Sequence, residues 1–349
     1  MELSANWFRV FFIGLLFLKA LIAYYIFSQE YSYFGGANDA DYYNQYALGQ
    51  VSVSYNYWSV LLRHLNDFGF YSRGGVTVFL GFTGFVVLPI IISKLAINPE
   101  TKNSTAFFWL SMCVVSAYPT LAYFATDVYR DVFMVFVWVM GCYAYKLYLQ
   151  SKGEVKVLYF VICLSVGGGL YFFRSYLGGA LLLSFLFSRF YSFQKAPLLL
   201  SVFLIYVSVF VLYAFGLIDP LLNYRGLFGS QSVGASNLGI QFSTLELFFQ
   251  DFTLSMIYQM FGFYFVNRAS LLVFIFESIP FLFFFFYIIL NRRYSNAFVD
   301  FLIVFFVLYS LVWLLGNDNL GTAVRLRMYS YLSVFVAFCV IFQNKMLGR

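Results

Sequence analysis

Apolar stretches of about 20 residues follow one another along most of this chain. A transmembrane helix needs roughly 20 such residues to cross a bilayer, and 62% of the residues are hydrophobic while only 10% are charged. The runs are continuous, whereas the strands of a membrane β-barrel alternate over about ten residues. The sequence therefore predicts an all-α, polytopic transmembrane bundle of about ten spans: 7–27, 74–97, 105–124, 131–149, 155–172, 176–190, 197–217, 270–290, 297–316 and 324–343.

The two long connections, at about residues 28–73 and 218–269, fall on the same side of this predicted bundle. In the first, apolar residues recur at helical spacing over 57–71, which predicts an amphipathic helix in the headgroup plane. In the second, a Gly- and Ser-rich stretch at 226–239 precedes an apolar segment at 242–264, which we interpret as interfacial or re-entrant helices. The whole chain, 1–349, is predicted to form a single integral membrane domain with no internal repeat.

When the connections are sorted alternately between the two sides, every lysine outside the membrane interior falls on one side, and every basic residue on the other side is an arginine. Cytoplasmic loops carry an excess of basic residues, so the lysine side is predicted to be cytoplasmic, and ten crossings place both termini there. The arginine side needs another reason, because it also carries most of the carboxylates, and arginine grips phosphate in a two-pronged geometry. The lysine side holds Lys94, Lys102, Lys146, Lys152, Lys156, Lys195 and Lys345, and the arginine side holds Arg63, Arg73, Arg130, Arg174, Arg225, Arg268, Arg325 and Arg327.

Several function classes are disfavoured by what the sequence lacks. Nucleic-acid binding needs one continuous basic surface, and the basic residues here are split between two sides. The four cysteines lie inside predicted spans without close spacing, so neither a disulfide nor a zinc framework is expected. The sequence has no phosphate-binding glycine loop with lysine and no Gly-x-Ser-x-Gly motif. His64, the one histidine, has the wrong spacing to Asp67 for membrane acyl transfer.

Carboxylates and arginines at span ends form the candidate site on the arginine side. Asp39 and Asp41 lie among glycines and tyrosines soon after the first span, which suits a general base or a metal ligand beside a sugar. Asp127, Arg130 and Asp131 lie at the start of another span. A solvated loop would explain the first pair equally well, and the second group could simply satisfy its own charges at the membrane boundary.

Two further segments carry arginines at the same level of the predicted bundle. Arg174 precedes Ser175 and Tyr176 between two spans, and Arg325 with Arg327 opens the last span. A phosphate at a helix N-terminus gains from free backbone N–H groups as well as from arginine. Anchoring at the interface explains any single arginine, but it explains four converging segments less well.

These segments carry a family resemblance. Gly36, Asp39-Ala40 and Tyr43 resemble a G-x-x-D-A-x-x-Y signature of the first outer loop in bacterial multispan sugar-transfer proteins. The other matching segments are Tyr118-Pro119 with Arg130-Asp131, Arg174-Ser175-Tyr176, and Gly321-Thr322 with Arg325-Leu326-Arg327. Together they resemble Wzy-like O-antigen and exopolysaccharide polymerases and, more loosely, the GT-C superfamily of lipid-dependent glycosyltransferases.

The resemblance implies roles for individual residues. In GT-C enzymes the first outer loop carries the catalytic acid, which here would be Asp39 with Asp41 as its neighbour, followed by a juxtamembrane helix at 57–71. O-antigen polymerases rely on outer-loop arginines, often in the second long loop, where this chain has only Arg225 and Arg268. The expected substrate-binding residues are Tyr43, Asp127, Arg130, Asp131, Arg174, Arg325 and Arg327.

We therefore expect a membrane glycosyltransferase or polysaccharide polymerase in a bacterial inner (cytoplasmic) membrane. It would transfer sugars from a polyprenyl-(pyro)phosphate-linked donor to a glycan acceptor on the extracytoplasmic side, with no required cofactor, although a divalent metal could take part. The alternative is a transporter or flippase of lipid-linked saccharides, which should show midplane polar residues, broken helices and repeated halves. Lys19 and Glu277, both inside predicted spans, are expected to pair with each other or to face a polar cavity.

Overall fold

The computed structural model describes residues 5–29, 37–230 and 236–348. Within these ranges the regular elements are helices, and the β-type pairing is an isolated bridge between Asn237 and Asn319. The α-helices are α1 Ala5–Gln29, α2 Ala37–Ala47, α3 Tyr57–Asp67, α4 Arg73–Phe82, α5 Leu88–Ala96, α6 Ser104–Ser116, α7 Pro119–Phe124, α8 Arg130–Gln150, α9 Gly153–Phe173, α10 Ser175–Phe187, α11 Leu198–Ala214, α12 Asp219–Ser230, α13 Phe248–Ser255, α14 Arg268–Val273, α15 Ile279–Leu290, α16 Ala297–Gly316 and α17 Leu320–Leu347.

Seven helical segments in the described part of the chain are long and apolar enough to cross a membrane, which confirms the all-helical, membrane-type architecture. The predicted number of ten spans is not confirmed, because α6 and α10 have only 13 residues each and reach about 20 Å, against a hydrocarbon core of about 30 Å. An eighth span is possible only if α11 and the helix after it are one span, and they bend by 80°. The seven are Ala5–Tyr25, Arg73–Ala96, Arg130–Gln150, Gly153–Phe173, Arg268–Leu290, Ala297–Gly316 and Leu320–Leu347.

Contacts divide the chain into two compact units. Unit 1 comprises Met1–Leu182 with Gln343–Arg349, and unit 2 comprises Leu183–Phe342. Two helices, α10 and α17, each contribute residues to both units. The single membrane domain over residues 1–349, expected from the sequence, stays a prediction.

Unit 1 is organised around α8 and α9, which pack along each other, and around α5, which packs against α6 and α8. Small residues permit the close approach of helices: a Cβ at Gly84 would lie 2.6 Å from that of Ala125, and one at Gly167 would lie 2.5 Å from Leu182. Close packing of small residues is the usual way in which helices associate in lipid, where the hydrophobic effect no longer drives them together. Gly84 lies in a π-helical turn, Thr83–Val87, that joins α4 to α5.

The first long connection folds into two short helices, α2 and α3. The side chain of Asn56 caps the N-terminus of α3 by accepting hydrogen bonds from the backbone N–H groups of Trp58 and Ser59. Trp58 and Leu62 are buried on one face of α3, while Arg63 and Asp67 form an exposed i,i+4 ion pair at 3.1 Å. Since the indole Nε1 of Trp58 donates to the backbone oxygen of Val128 at 2.8 Å, α3 is fixed against the loop that precedes α8.

Unit 2 contains two π-helical turns, Met256–Met260 and Phe274–Ser278, each continuous with an α-helix. A π turn is rare and often occurs at a functional site. The second long connection forms α12 and α13, and residues 231–235 of the predicted Gly- and Ser-rich stretch lie outside the described residues. Phe242 follows with a left-handed backbone (φ 50°), and its N–H donates to the Asp251 carboxylate at 3.0 Å.

Candidate functional site

Three arginines lie at one end of unit 1, which we call the arginine end. Arg73 begins α4, Arg130 begins α8, and Arg174 follows the last residue of α9. At the opposite ends of the same helices the basic residues are lysines: Lys94 lies in the last turn of α5, and Lys146 near the end of α8 donates to the backbone oxygen of Leu95 at 2.7 Å. In these helices, therefore, the arginines and the lysines lie at opposite ends.

Arg73 lies between two carboxylates that come from different elements. Its Nε and Nη2 donate to the two oxygens of Asp127 at 3.0 and 2.6 Å, and Nη2 also contacts Oδ1 of Asp41, on α2, at 2.9 Å. The two-pronged pairing with Asp127 is the strong geometry for arginine and carboxylate. We call Asp41, Arg73 and Asp127 the Arg73 triad.

The Arg73 triad is open to solvent on the side of Asp41. The exposed fraction of the side chain is 52% for Asp41, 34% for Arg73 and 17% for Asp127. Asp127 is also held by the backbone N–H of Val128 at 2.8 Å and by the Thr77 hydroxyl at 3.5 Å. Asp127 is thus the fixed partner of Arg73, and Asp41 is the accessible one.

Tyrosines border the triad. The Tyr71 hydroxyl donates to the side-chain oxygen of Asn44 at 2.9 Å. Burial raises the pKa of Tyr71 to about 12, with Arg73 lowering it and Asp127 raising it, so Tyr71 remains a protonated donor at neutral pH. Tyr42 packs against the exposed ring of Tyr55, with centroids 5.0 Å apart. Aromatic rings beside carboxylates give this surface both apolar and polar groups with which a sugar can interact.

A second charged group at the arginine end lies deeper: Asp131 and Arg174 are buried, and Arg130 is half-buried. The Asp131 side chain is fully buried, and Nη2 of Arg174 lies 3.5 Å from its Oδ1. Arg130, next to Asp131 on α8, donates from Nη1 to the backbone oxygen of Phe173 at 3.4 Å. We call Arg130, Asp131 and Arg174 the buried arginine group. Its formal charge is net positive, whereas that of the Arg73 triad is net negative.

Asp39 and Tyr43 lie near this end, on α2, in different environments. Asp39 is half-buried in the first turn of α2, where a carboxylate is favoured by the helix dipole. Tyr43 is only 3% exposed, and its hydroxyl accepts a hydrogen bond from the Asn56 side chain at 3.4 Å. Tyr43 therefore joins α2 to the N-terminus of α3 and presents almost no surface to a substrate.

The remaining predicted arginines lie on α17, in unit 2. Arg325 is half-buried, while the Arg327 side chain is buried with Nη2 3.4 Å from the Glu277 carboxylate. Side chains two residues apart on a helix point in different directions, so Arg325 and Arg327 do not form a single anion-binding pair. A Cβ at Gly262 would lie 2.9 Å from the Arg327 guanidinium and 2.5 Å from the Ser278 hydroxyl. Gly262 also has a left-handed backbone (φ 75°), so glycine is the residue that fits there.

Glu277 thus has a different partner from the one expected. The sequence suggested Lys19 as the partner, because both residues lie at similar predicted depths. In the structure Arg327 pairs with Glu277, and the Lys19 ammonium lies over the ring of Phe85 at 4.9 Å. The pairing expectation was wrong for Glu277, because depth along a span does not determine which helices are neighbours.

The structure also assigns a role to Arg225, which the sequence placed in the second long connection. Its guanidinium donates to the backbone oxygens of Ile240, Leu314 and Leu315 and to Asp318. Asp318 in turn accepts the backbone N–H groups of Gly239 and Ile240. This buried network joins α12, which carries Arg225, to the connection at Ile240 and to the end of α16. Its role is structural.

Sequence reasoning named Asp41 and Asp127 but missed Arg73, the residue that joins them. The signal was present, because Arg73 begins one span and Asp127 precedes another on the same predicted side. Among the described residues, the structure shows no group of three or more His, Cys, Asp or Glu side chains placed to hold a metal ion. No protein-family model, curated protein or solved structure matches the chain.

Proposed function

We propose that this protein transfers or polymerises sugars at the arginine end of unit 1, using a polyprenyl-(pyro)phosphate-linked donor. The main support is that the accessible, net-negative Arg73 triad and the net-positive buried arginine group lie side by side, because each includes residues of the segment from Asp127 to Asp131. A site for lipid-linked sugar transfer needs a carboxylate that takes the proton of the acceptor hydroxyl and cations that bind the phosphate.

In the proposed reaction Asp39 is the general base. The acceptor hydroxyl oxygen attacks the anomeric carbon of the donor sugar while its proton passes to the Asp39 carboxylate. The bond between that carbon and the phosphate oxygen breaks, and the lipid (pyro)phosphate leaves with the electron pair. Asp41 is the second acid, and its carboxylate contacts Arg73.

The arginines stabilise the leaving group. Charge develops on the phosphate oxygens as the bond breaks, and prearranged cations in a dry environment stabilise such charge far better than water does. Arg174 contacts the Asp131 carboxylate, whereas Arg130 donates to the backbone oxygen of Phe173. Two guanidinium groups and one carboxylate leave the group with a net positive formal charge, which favours an anion. Arg325 and Arg327 were also predicted to bind the substrate, and that stays a prediction.

The expected setting is a bacterial cytoplasmic membrane, with the arginine end outside and both termini in the cytoplasm. Single cysteines introduced into the α2–α3 connection, in a variant lacking the four native cysteines, should react with a membrane-impermeant thiol reagent in whole cells. Cysteines introduced at residues 98–103 or 291–296 should react only after permeabilisation. The reverse pattern would place the arginine end in the cytoplasm and overturn the proposal.

The direct test is transfer by the purified protein in vesicles that contain a lipid-linked oligosaccharide. Longer lipid-linked products should accumulate with wild type and fall with Asp39→Asn. If wild type forms no product while the protein remains folded, sugar transfer is wrong.

A transporter or flippase of lipid-linked saccharides is the second candidate, supported by two features of unit 2. Helices Leu198–Ala214 and Asp219–Gly226 meet at 80°, and the buried Arg327–Glu277 pair lies beside a π turn. Broken helices and intramembrane ion pairs are common in transporters. In the same vesicles, movement of the lipid-linked saccharide between leaflets without chain growth would favour this candidate.

A further inference from the structure

The carboxylates of the Arg73 triad converge in the way that ligands of a cation do. Asp41 comes from α2 and Asp127 from the loop before α8, yet both place an oxygen within 2.9 Å of the same guanidinium nitrogen, Nη2 of Arg73. Carboxylate oxygens from separate elements around one positive centre are the usual arrangement for a divalent cation, with metal–oxygen distances of about 2.0–2.6 Å. The Thr77 hydroxyl, 3.5 Å from the Asp127 carboxylate, adds a neutral oxygen nearby.

The positive centre here is part of the protein. Arg73 is tied to Asp127 through two nitrogens, and it is anchored at the start of a membrane-crossing helix. A guanidinium stays charged at every physiological pH, so the two carboxylates have a permanent counter-ion. A divalent cation could enter between them only by expelling Arg73 from a two-pronged bond.

We infer that Arg73 is the resident cation of this site, occupying the position that a divalent metal ion would take between Asp41 and Asp127. Arg73 acts as a positioning residue: it links α2, which carries Asp39, to α4 and to the segment that leads into the buried arginine group. Two consequences follow. The triad of the wild-type protein takes no divalent cation, and removal of the guanidinium creates a site that does.

The first test measures binding of Mn²⁺ to the purified full-length protein in detergent, by electron paramagnetic resonance, and needs no activity. Wild type should show no Mn²⁺ site that depends on Asp41. Arg73→Ala should bind Mn²⁺ at least tenfold more tightly than wild type, and the further change Asp41→Asn should abolish that gain. Arg73→Lys keeps a positive charge between the carboxylates and should behave like wild type.

Arg63→Ala is the matched control. Arg63 lies in the same connection and pairs with a single carboxylate, Asp67, at 3.1 Å, so its removal leaves no second ligand and should create no Mn²⁺ site. Each protein is first checked for a single size-exclusion peak. If Arg73→Ala fails that check, the comparison of wild type with Asp41→Asn still decides. A Mn²⁺ site that is present in wild type and lost in Asp41→Asn would overturn the inference. Equal Mn²⁺ binding by Arg73→Ala and its Asp41→Asn double variant would also overturn it.

The second test rests on the proposed function and uses the transfer assay. Wild-type activity should survive a divalent chelator, while activity of Arg73→Ala should be low in chelator and recover severalfold when Mn²⁺ is added. Wild-type activity that is lost in chelator and restored by Mn²⁺ would contradict the inference while leaving sugar transfer intact. If no variant transfers sugar but the Mn²⁺ results hold, the proposed function fails and the inference about Arg73 stands.

Discussion

Arg73 in unit 1 and Arg225 in unit 2 were indistinguishable in the sequence, because both are arginines in long connections or at their ends on the arginine side. In the structure they differ in what satisfies the guanidinium. Arg225 is 3% exposed, and its donors reach three backbone oxygens and Asp318. The Arg73 side chain is 34% exposed, and its partners among the described residues are carboxylates.

The difference separates a structural arginine from a functional candidate. Buried backbone oxygens must have hydrogen-bond donors, and Arg225 supplies them to carbonyls at a helix end, so its donors are committed to the fold. The partners of Arg73 are side chains, one of which is half-exposed. Side-chain partners can exchange with a ligand at far smaller cost than buried backbone groups can.

Removing each guanidinium should therefore have opposite consequences, and this is the largest effect that we expect. Arg225→Ala leaves the buried Asp318 without its guanidinium counter-ion and removes one donor from three backbone carbonyls, so it should destabilise the protein by about 3–5 kcal/mol. Arg73→Ala, in a half-exposed ion pair, should cost about 1 kcal/mol or less. Thermal unfolding in detergent, followed by size-exclusion, measures both. Similar losses in the two variants would remove the distinction.

Asp39→Asn should lower activity strongly without lowering stability. The amide keeps the shape and much of the hydrogen bonding but cannot accept the proton, so transfer should fall about a hundredfold or more. Surface polysaccharide length in a complemented deletion strain, at matched protein level, is the readout. Asp41→Asn should be milder. Normal chain length with Asp39→Asn, together with loss in the arginine variants, would instead indicate that arginines lead the catalysis.

Arg174→Lys keeps a positive charge but loses the planar guanidinium that faces Asp131. Charge-assisted hydrogen bonds of this kind contribute about 1.5–3 kcal/mol, so we expect transfer to fall about tenfold or more. Arg268→Lys is the matched control, because Arg268 is exposed at the start of α14 and the same exchange there should have little effect. Equal effects of the two changes on transfer would count against the buried arginine group as the phosphate site.

Tyr71→Phe should have the smallest effect and the clearest pH dependence. Loss of the hydrogen bond to Asn44 should cost about 1 kcal/mol at neutral pH. Because the folded pKa of Tyr71 is raised to about 12, this tyrosine favours the folded state fully below its ordinary value near 10 and loses that contribution as the pH rises to about 12. The gap in thermal stability between wild type and Tyr71→Phe should therefore narrow from pH 10 to 12.

Tyr57→Phe is the control for that comparison, since Tyr57 is 54% exposed. Its stability should follow that of wild type across the same pH range. A gap for Tyr71→Phe that stays constant from pH 10 to 12 would contradict the raised pKa of Tyr71.

Several features of the fold could be predicted from local pattern. The apolar runs predicted the positions of the seven long helical segments, because burying the backbone in lipid requires continuous helix. The helix at 57–71 was predicted from its apolar periodicity, and α3 Tyr57–Asp67 confirms it. The full spans predicted at α6 and α10 are not confirmed, since hydropathy does not show where a helix will break.

The sequence by itself determined the helical, membrane-type architecture and the position of Arg73, Arg130 and Arg174 at helix ends opposite those of Lys94 and Lys146, because both depend on residue type and order along each segment. Only the tertiary structure decided which charges meet: Asp41 and Asp127 on Arg73, Arg174 on Asp131, and Arg327, in place of Lys19, on Glu277. The partners lie from 32 to 54 residues apart on separate helices or loops. An ion pair depends on distances of a few ångströms, and such distances follow from how helices pack, which no local pattern records.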